Sequence, residues 1–267
     1  MKERRDEYAK IEPCFDLLYH DPRAKIATAE EIIDSMDQDS IDRSVVLNIG
    51  WSSPGLCHET NDYILEAISR YPERLIGFCA IQPLALDEAV EELLRCIRGG
   101  VKGIGELRSD VQGFDLADKT VMSDIAQVAV EHGLIILTHA SEPVGHSYSG
   151  KGTITPDILY RFIQEFPDLR LVCAHWGGGL PFYALMPEVA RALTNVYFDT
   201  AASPFLYHDR IFKHAIEIIG GDRILFGSDY PLIKQDRIIK SINSLNLQPD
   251  IKNKILGGNA QRLLALT

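Results

Sequence analysis

Short apolar runs recur along the chain at intervals of roughly 25 to 35 residues, which is the length of one β-α unit. The runs are bounded by polar or glycine residues, as expected of buried strands. Seven of them begin at Ser44, Leu75, Val101, Leu134, Leu169, Asn195 and Arg223. This spacing predicts a series of strands connected by helices.

The segments between the runs have the spacing of amphipathic helices, with apolar residues at i, i+3, i+4 and i+7. The first helix is expected over Thr28–Asp39, where Thr28 and Glu31 form a capping-box pattern. Near the C-terminus, Asn259 is expected to cap a last short helix. Strictly alternating strands and helices imply a parallel sheet with helices outside it. Because no linker or low-complexity segment interrupts the series, residues 1–267 are predicted to form a single domain.

This α/β pattern favours a (β/α)8 TIM barrel, but seven strands are one fewer than that fold contains. A first strand would have to precede the helix at Thr28–Asp39. Residues 1–12 are too charged for a buried strand, which leaves Cys14–His20 as the candidate. The other interpretation is that strand one is missing from this chain.

Polar residues suited to metal or acid–base chemistry stand at the ends of the runs. His139 is the next-to-last residue of LIILTHA, His175 ends LRLVCAH, and Asp229 ends RILFGSD. In a barrel these ends converge on one mouth, where Glu106 would join them. Imidazole and carboxylate suit Zn²⁺, Mn²⁺ or Fe²⁺, and such a metal lowers the pKa of its bound water. Glu106 and Asp199 are equally compatible with capping the loops that follow their strands.

Four residues near these ends are candidate substrate contacts. Glu106 and Arg108 end one strand, and Trp176 follows His175. His146 lies in SEPVGHSYSGKG, a loop rich in Gly and Ser that could hold substrate or act as a lid. A solvated surface histidine is the alternative for His146.

Composition narrows the class of protein. The formal net charge of −11 argues against nucleic acid or an anionic membrane as a partner. No apolar run approaches the roughly 18 residues of a membrane span. The charged N-terminus is not a signal peptide. Five cysteines without a CxxC pair fit reduced thiols, so we expect a cytoplasmic protein.

Three motifs together resemble the amidohydrolase-related family of the amidohydrolase superfamily. They are LTHA with His139, VCAHWGGG with His175, and LFGSDYP with Asp229. The likeness extends from about Thr28 to the C-terminus and includes ILGGNAQRLL. The family contains metal-dependent hydrolases of amides and lactones, and also non-oxidative decarboxylases such as aminocarboxymuconate-semialdehyde decarboxylase.

The resemblance implies a (β/α)8 barrel with a divalent metal, usually zinc. His139 would be a ligand, His175 a ligand or the catalytic acid–base, and Asp229 a ligand and proton acceptor. The family also carries an H-x-H pair at the end of strand one, whereas no two histidines of this chain are two residues apart. We therefore favour the interpretation that strand one is missing, which would leave an open seam beside the last strand.

The resulting hypothesis is a metal-dependent hydrolase acting on a small carbonyl or carboxylated substrate. His175 and Asp229 would serve as its acid and base. One alternative is a metal-dependent decarboxylase in which His175 delivers a proton. Another is a barrel that has lost its metal and binds without catalysis. A small molecule is the expected partner, and association into a homo-oligomer is compatible with such a barrel.

Overall fold

A curled, wholly parallel sheet organises the chain. The computed structural model describes residues 2–266. The strands are β1 Ser44–Val46, β2 Leu75–Cys79, β3 Gly103–Leu107, β4 Ile135–Thr138, β5 Arg170–Cys173, β6 Val196–Asp199 and β7 Ile224–Leu225. Each pairs in parallel with its neighbours in sequence, in the order β1 to β7. The predicted alternation of strands and helices is confirmed.

Helices alternate with these strands. They span Arg5–Ile11, Pro13–Tyr19, Ala29–Asp39, Pro54–Arg70, Asp87–Arg98, Ser109–Gln112, Lys119–Glu131, Pro156–Glu165, Leu180–Tyr183, Pro187–Ala192, Ser203–Leu206, Arg210–Ile219, Gln235–Ser244, Pro249–Asn253 and Asn259–Leu263. No helix in the described part of the chain is long and apolar enough to cross a membrane.

Local sequence signals explain where several helices begin. The capping box is confirmed, since the Glu31 amide donates to Thr28 Oγ1 at 3.3 Å and the Thr28 amide donates to Glu31 Oε2 at 2.7 Å. The prediction that Asn259 caps the last helix is wrong, because Asn259 is the first residue within the helix Asn259–Leu263. Its buried Nδ2 instead donates to the carbonyls of Gly221 and Ile224, which fixes the start of β7.

The candidate first strand, Cys14–His20, is not a strand. Pro13 opens a helix over Pro13–Tyr19, since its missing N–H costs nothing in the first turn. Its buried Phe15 packs against Trp51, with ring centroids 5.8 Å apart.

Apolar side chains pack on both faces of the sheet. Ile104, Ile136 and Phe198 belong to the main core, which includes buried residues of the helices such as Leu93 and Phe162. A smaller cluster joins Phe78, Ile135, Val172 and Leu225 to Leu263 of the last helix. Successive residues of one strand, such as Ile135 and Ile136, therefore pack into different cores on opposite faces of the sheet.

The sheet is open between its first and last strands. Within residues 2–266, β1 and β7 each pair with one neighbour and not with each other. A cavity of about 860 Å³ is lined by residues of both strands and reaches the carboxyl ends of the others. The catalytic candidates therefore share one space with the open seam.

Candidate metal centre

Glu106, His139 and His175 come together at the carboxyl ends of β3, β4 and β5. Glu106 is the fourth residue of β3, whereas His139 directly follows β4 and His175 lies just beyond β5. His139 Nδ1 is 2.7 Å from Glu106 Oε1, and His175 Nε2 is 3.8 Å from the same oxygen. One potential ligand atom from each residue lies within 4.8 Å of the others. Adjacent parallel strands thus deliver an oxygen and two nitrogens to one point.

The second nitrogen of each ring has its own partner. His139 Nε2 is 3.0 Å from Ser141 Oγ, which accepts a hydrogen bond from the Gly152 amide at 2.9 Å. His175 Nδ1 is 3.3 Å from the Ala201 carbonyl oxygen and donates to it. Anchoring one nitrogen leaves the other directed at Glu106, which is how proteins orient histidine ligands.

Asp199 positions the backbone around His175. Its Oδ1 accepts from the His175 amide at 2.9 Å and from the Ala201 amide at 3.0 Å. His175 itself has a φ of 53°, in the left-handed region. Asp199 thereby supports a turn that would otherwise be unfavourable.

The glycines after His175 permit a close approach to the neighbouring loop. Gly178 has a φ of 59°, and a Cβ there would lie 2.3 Å from the Ser141 carbonyl oxygen. This contact brings the turn carrying His175 against the segment that anchors His139. The glycine-rich sequence therefore helps to hold the two histidines together.

Asp229 lines the same cavity as Glu106, His175 and Asp199. It follows β7 and has a φ of 63°. Among the described residues it stands outside the group of Glu106, His139 and His175. Its assignment as a metal ligand stays a prediction.

The two histidines have opposite electrostatic environments. Burial lowers the pKa of His139, and Glu106 offsets this only in part. Burial also disfavours a charge on His175, but contact with Glu106 and the charges of Asp229 and Asp199 raise its pKa to about 10. The His139 imidazole is therefore neutral near pH 7, as a metal ligand must be, whereas the His175 imidazole is protonated and positively charged.

The carboxylates divide in the same way. Burial would raise the pKa of Glu106, but hydrogen bonds from His139 and His175 hold it well below its usual range. Burial raises the pKa of Asp229 to about 6. The positive charge of His175 lowers this pKa, whereas the negative charges of Glu106 and Asp199 raise it. Glu106 is thus a permanent anion, and Asp229 is poised to exchange a proton near neutrality.

This donor set fits a divalent cation. Imidazole nitrogen and carboxylate oxygen are the ligands that Zn²⁺ and Mn²⁺ accept in proteins. Glu106, Asp199 and Asp229 gather negative charge in a buried space, which a cation would neutralise. The residues that would hold the ion are Glu106 and His139, with His175 and Asp229 beside them.

The three other predicted substrate contacts lie elsewhere. Buried Arg108 donates from Nη2 to Asp110 Oδ2 at 3.0 Å and from Nη1 to the Gly150 carbonyl at 3.1 Å. Trp176 is buried and donates from Nε1 to Ser203 Oγ at 2.6 Å. His146 is exposed in its loop. None of the three lines the described cavity.

Two residues of the site were not predicted from the sequence. Ser141 anchors His139, and its position two residues after that histidine is the one signal that pointed to it. Tyr19 lines the same cavity as Glu106 and Asp229. Its segment, Cys14–His20, has the apolar composition of a strand, but Tyr19 is the last residue of a helix.

The sequence matches a known family and known relatives. The amidohydrolase family model matches residues 30–266. The chain is 24% identical over 275 residues to the 2-amino-3-carboxymuconate-6-semialdehyde decarboxylase of Dictyostelium discoideum, covering 88% of this chain and 76% of that protein.

Solved structures share the fold. The 5-carboxyvanillate decarboxylase of Sphingomonas paucimobilis has a TM-score of 0.79 at 17% identity, covering 100% of this chain and 96% of that one. A dihydroxybenzoic acid decarboxylase from Polaromonas sp. JS666, solved with manganese and the inhibitor 2-nitroresorcinol, has a TM-score of 0.74 at 19% identity. This match covers 100% of this chain and 94% of that one.

The chain belongs to the amidohydrolase family, an enzyme family. Its open, seven-stranded parallel sheet matches the fold of the 5-carboxyvanillate decarboxylase. The family resemblance predicted from the sequence is thereby confirmed. The named relatives are decarboxylases, so the comparisons support the decarboxylase alternative better than the hydrolase hypothesis.

Proposed function

We propose that this protein is a metal-dependent decarboxylase of small carboxylic acids. The observation that carries the proposal is the cluster of Glu106, His139 and His175, in which one ligand atom of each residue lies within 4.8 Å of the others. The charges around His175, which raise its pKa, favour a proton on that ring and so a different role from His139. The decarboxylase relatives supply the reaction class.

In this proposal Glu106 and His139 would hold the cation, and Asp229, which lines the same cavity, is the proposed further ligand. Glu106 is the permanent anion, and His139 is neutral because burial lowers its pKa. The contact of its Nε2 with Ser141 Oγ directs the other ring nitrogen, Nδ1, toward Glu106. A bound divalent cation would supply a fixed positive charge that orients the substrate carboxylate and stabilises negative charge developing on the substrate. Mn²⁺ and Zn²⁺ are both compatible with this donor set.

His175 is the proposed proton donor. When the bond to the carboxyl group breaks, carbon dioxide leaves and its bonding electrons stay on the substrate carbon. That carbon takes the proton from His175 Nε2, the nitrogen that faces Glu106. The Ala201 carbonyl, which accepts from Nδ1, keeps the ring in that orientation. A cation nearby opposes the charge on His175 and makes its proton easier to transfer.

A test of this proposal measures carbon dioxide release and metal content together. The protein, loaded with Mn²⁺ or Zn²⁺, is assayed with 2,6-dihydroxybenzoate, 5-carboxyvanillate and 2-amino-3-carboxymuconate-6-semialdehyde. We expect carbon dioxide and the protonated product from at least one acid. His175→Gln should lower that rate by about 10²- to 10⁴-fold, as for loss of a general acid. The matched control His214→Gln changes an exposed histidine of the helix Arg210–Ile219 and should leave the rate unchanged.

Hydrolysis is the second candidate, and Asp229 favours it. A carboxyl group with a pKa near 6 can accept a proton from an attacking water. Cleavage of amides or lactones without carbon dioxide release would establish the hydrolase instead. Absence of stoichiometric metal would refute both enzymatic proposals and favour a barrel that only binds.

A further inference from the structure

Tyr19 occupies a wall of the cavity that no motif of the sequence marks. It is the last residue of the helix Pro13–Tyr19 and lines the cavity with Glu106, His175 and Asp229. Its ring centroid lies 4.9 Å from that of Phe15. Phe15 is fully buried and stacks on Trp51, with 16° between the ring planes. The tyrosine ring is therefore held by a packed aromatic column.

The Tyr19 hydroxyl has no hydrogen-bond partner among residues 2–266. Two other tyrosines that line the cavity differ in this respect. Tyr63 Oη accepts from the Ala29 amide at 2.9 Å, and Tyr230 Oη donates to the Glu31 carbonyl at 3.2 Å. Those hydroxyls support the fold, whereas that of Tyr19 is available to a ligand.

The surrounding charges keep Tyr19 a donor. Burial raises its pKa, and the negative charges of Asp229 and Glu106 raise it further. Deprotonation is therefore disfavoured, and Tyr19 lines the same cavity as the carboxyl groups of Glu106, Asp199 and Asp229. Arg108, the cation that the sequence placed near this mouth, is bound to Asp110 and lies outside the cavity lining. An acceptor group of a ligand near this wall would thus find Tyr19 as its hydrogen-bond donor.

We propose that Tyr19 is a substrate-positioning residue whose hydroxyl donates a hydrogen bond to an oxygen of the small carboxylic acid or phenol bound at the Glu106–His139–His175 cluster. This inference rests on the proposed function for the class of ligand. It assigns recognition to the N-terminal helical pair, Arg5–Ile11 and Pro13–Tyr19, which lies outside the strand ends that carry the cluster.

The experiment compares ligand binding by the wild type, Tyr19→Phe and Tyr183→Phe. The Phe variant keeps the ring that packs on Phe15 and removes only the hydroxyl. Tyr183 is 50% exposed and lies outside the cavity lining, so it is the matched control. Titration calorimetry with 2-nitroresorcinol and with 2,6-dihydroxybenzoate, on Mn²⁺-loaded protein of verified metal content, gives the dissociation constants.

We expect Tyr19→Phe to weaken binding by about 10-fold, the value of one hydrogen bond to a charged or strongly polar oxygen, with metal content unchanged. Tyr183→Phe should bind like the wild type. Equal affinities for the wild type and Tyr19→Phe would overturn the inference, as would failure of the wild type to bind either compound.

The readouts separate this inference from the proposed function. Tyr19-dependent binding without carbon dioxide release would sustain the inference and refute the decarboxylase. Carbon dioxide release with the same KM and ligand affinity in Tyr19→Phe as in the wild type would support the decarboxylase and refute the role of Tyr19.

Discussion

His139 and His175 meet edge to face, with ring centroids 5.0 Å apart, yet their pKa values are displaced in opposite directions. Both rings are buried and both contact Glu106. The difference comes from what lies on their far sides. His175 has the acidic neighbours Asp199 and Asp229, whereas the positive charge of Arg108 acts on His139. A shared carboxylate thus connects a neutral imidazole to a protonated one.

Removing the hydroxyl that anchors His139 should weaken metal binding. Ser141→Ala takes away the partner of His139 Nε2, so the ring loses a fixed orientation. We expect Mn²⁺ or Zn²⁺ affinity to fall by about 10- to 100-fold, as for other partners of metal-binding histidines. Competition with a chromogenic chelator measures this. Ser149→Ala, an exposed position in the same loop, is the control, and an equal loss there would contradict the assignment.

Replacing Glu106, the carboxylate of β3, tests whether this residue is a metal ligand. Glu106→Gln keeps the size of the side chain but removes the anion that both histidines contact. We expect loss of stoichiometric metal, together with a lower pKa for His175, because its principal favourable contact is weakened. Metal analysis and the chemical shift of the His175 ring against pH check the two effects. An unchanged metal content would show that Glu106 is not a ligand.

The turn after His175 should tolerate no side chain at Gly178. Gly178→Ala combines a φ of 59° with a Cβ placed 2.3 Å from the Ser141 carbonyl oxygen. We expect the free energy of unfolding to fall by roughly 2 kcal/mol or more, since left-handed backbone alone costs about 1 to 3 kcal/mol. Urea titration measures the loss. Gly55→Ala, at an open helical position, should lie within about 1 kcal/mol of the wild type.

Ionisation of Glu92, on the helix Asp87–Arg98, should make the free energy of unfolding depend on pH in the acid range. Burial opposes ionisation of Glu92, but hydrogen bonds from Arg95, Asn61 and His58 lower its pKa to about 2. A lowered pKa stabilises the fold above the ordinary value near 4.5, and this stabilisation is lost as pH falls from there toward 2.

Glu92→Gln should therefore be less stable than the wild type at pH 6, by an amount on the order of 2 kcal/mol. The difference should shrink at pH 3, where the wild-type carboxylate is losing its advantage. Unfolding by urea at both pH values measures it. Glu88→Gln, on the exposed face of the same helix, should show no comparable dependence on pH. A constant difference at both pH values would mean that ionisation of Glu92 is not the cause.

The sequence predicted the strand ends well because period and polarity fix position along a parallel strand. Glu106, His139 and His175 were all recognised this way, and all three meet. The partners of these side chains are harder to predict from the sequence. Arg108 follows its strand, where an active-site cation would be expected, but its guanidinium pairs with Asp110. Tyr19 could not be assigned to the site from the sequence, because a short apolar segment suits a strand and a helix equally. The segment forms a helix that begins at Pro13.

The order of the sheet also determines where the molecule opens first. Every ladder joins strands that are neighbours in sequence, and β1 and β7 are each held along one side only in the described chain. Backbone amides in β4, which has ladders on both sides, can exchange with solvent only after larger unfolding. Those of β1, whose residues are half-buried, need only a local separation from β2. Hydrogen exchange should therefore proceed from the two edges inward, so the strands that carry His139 and His175 form the most persistent part of the fold.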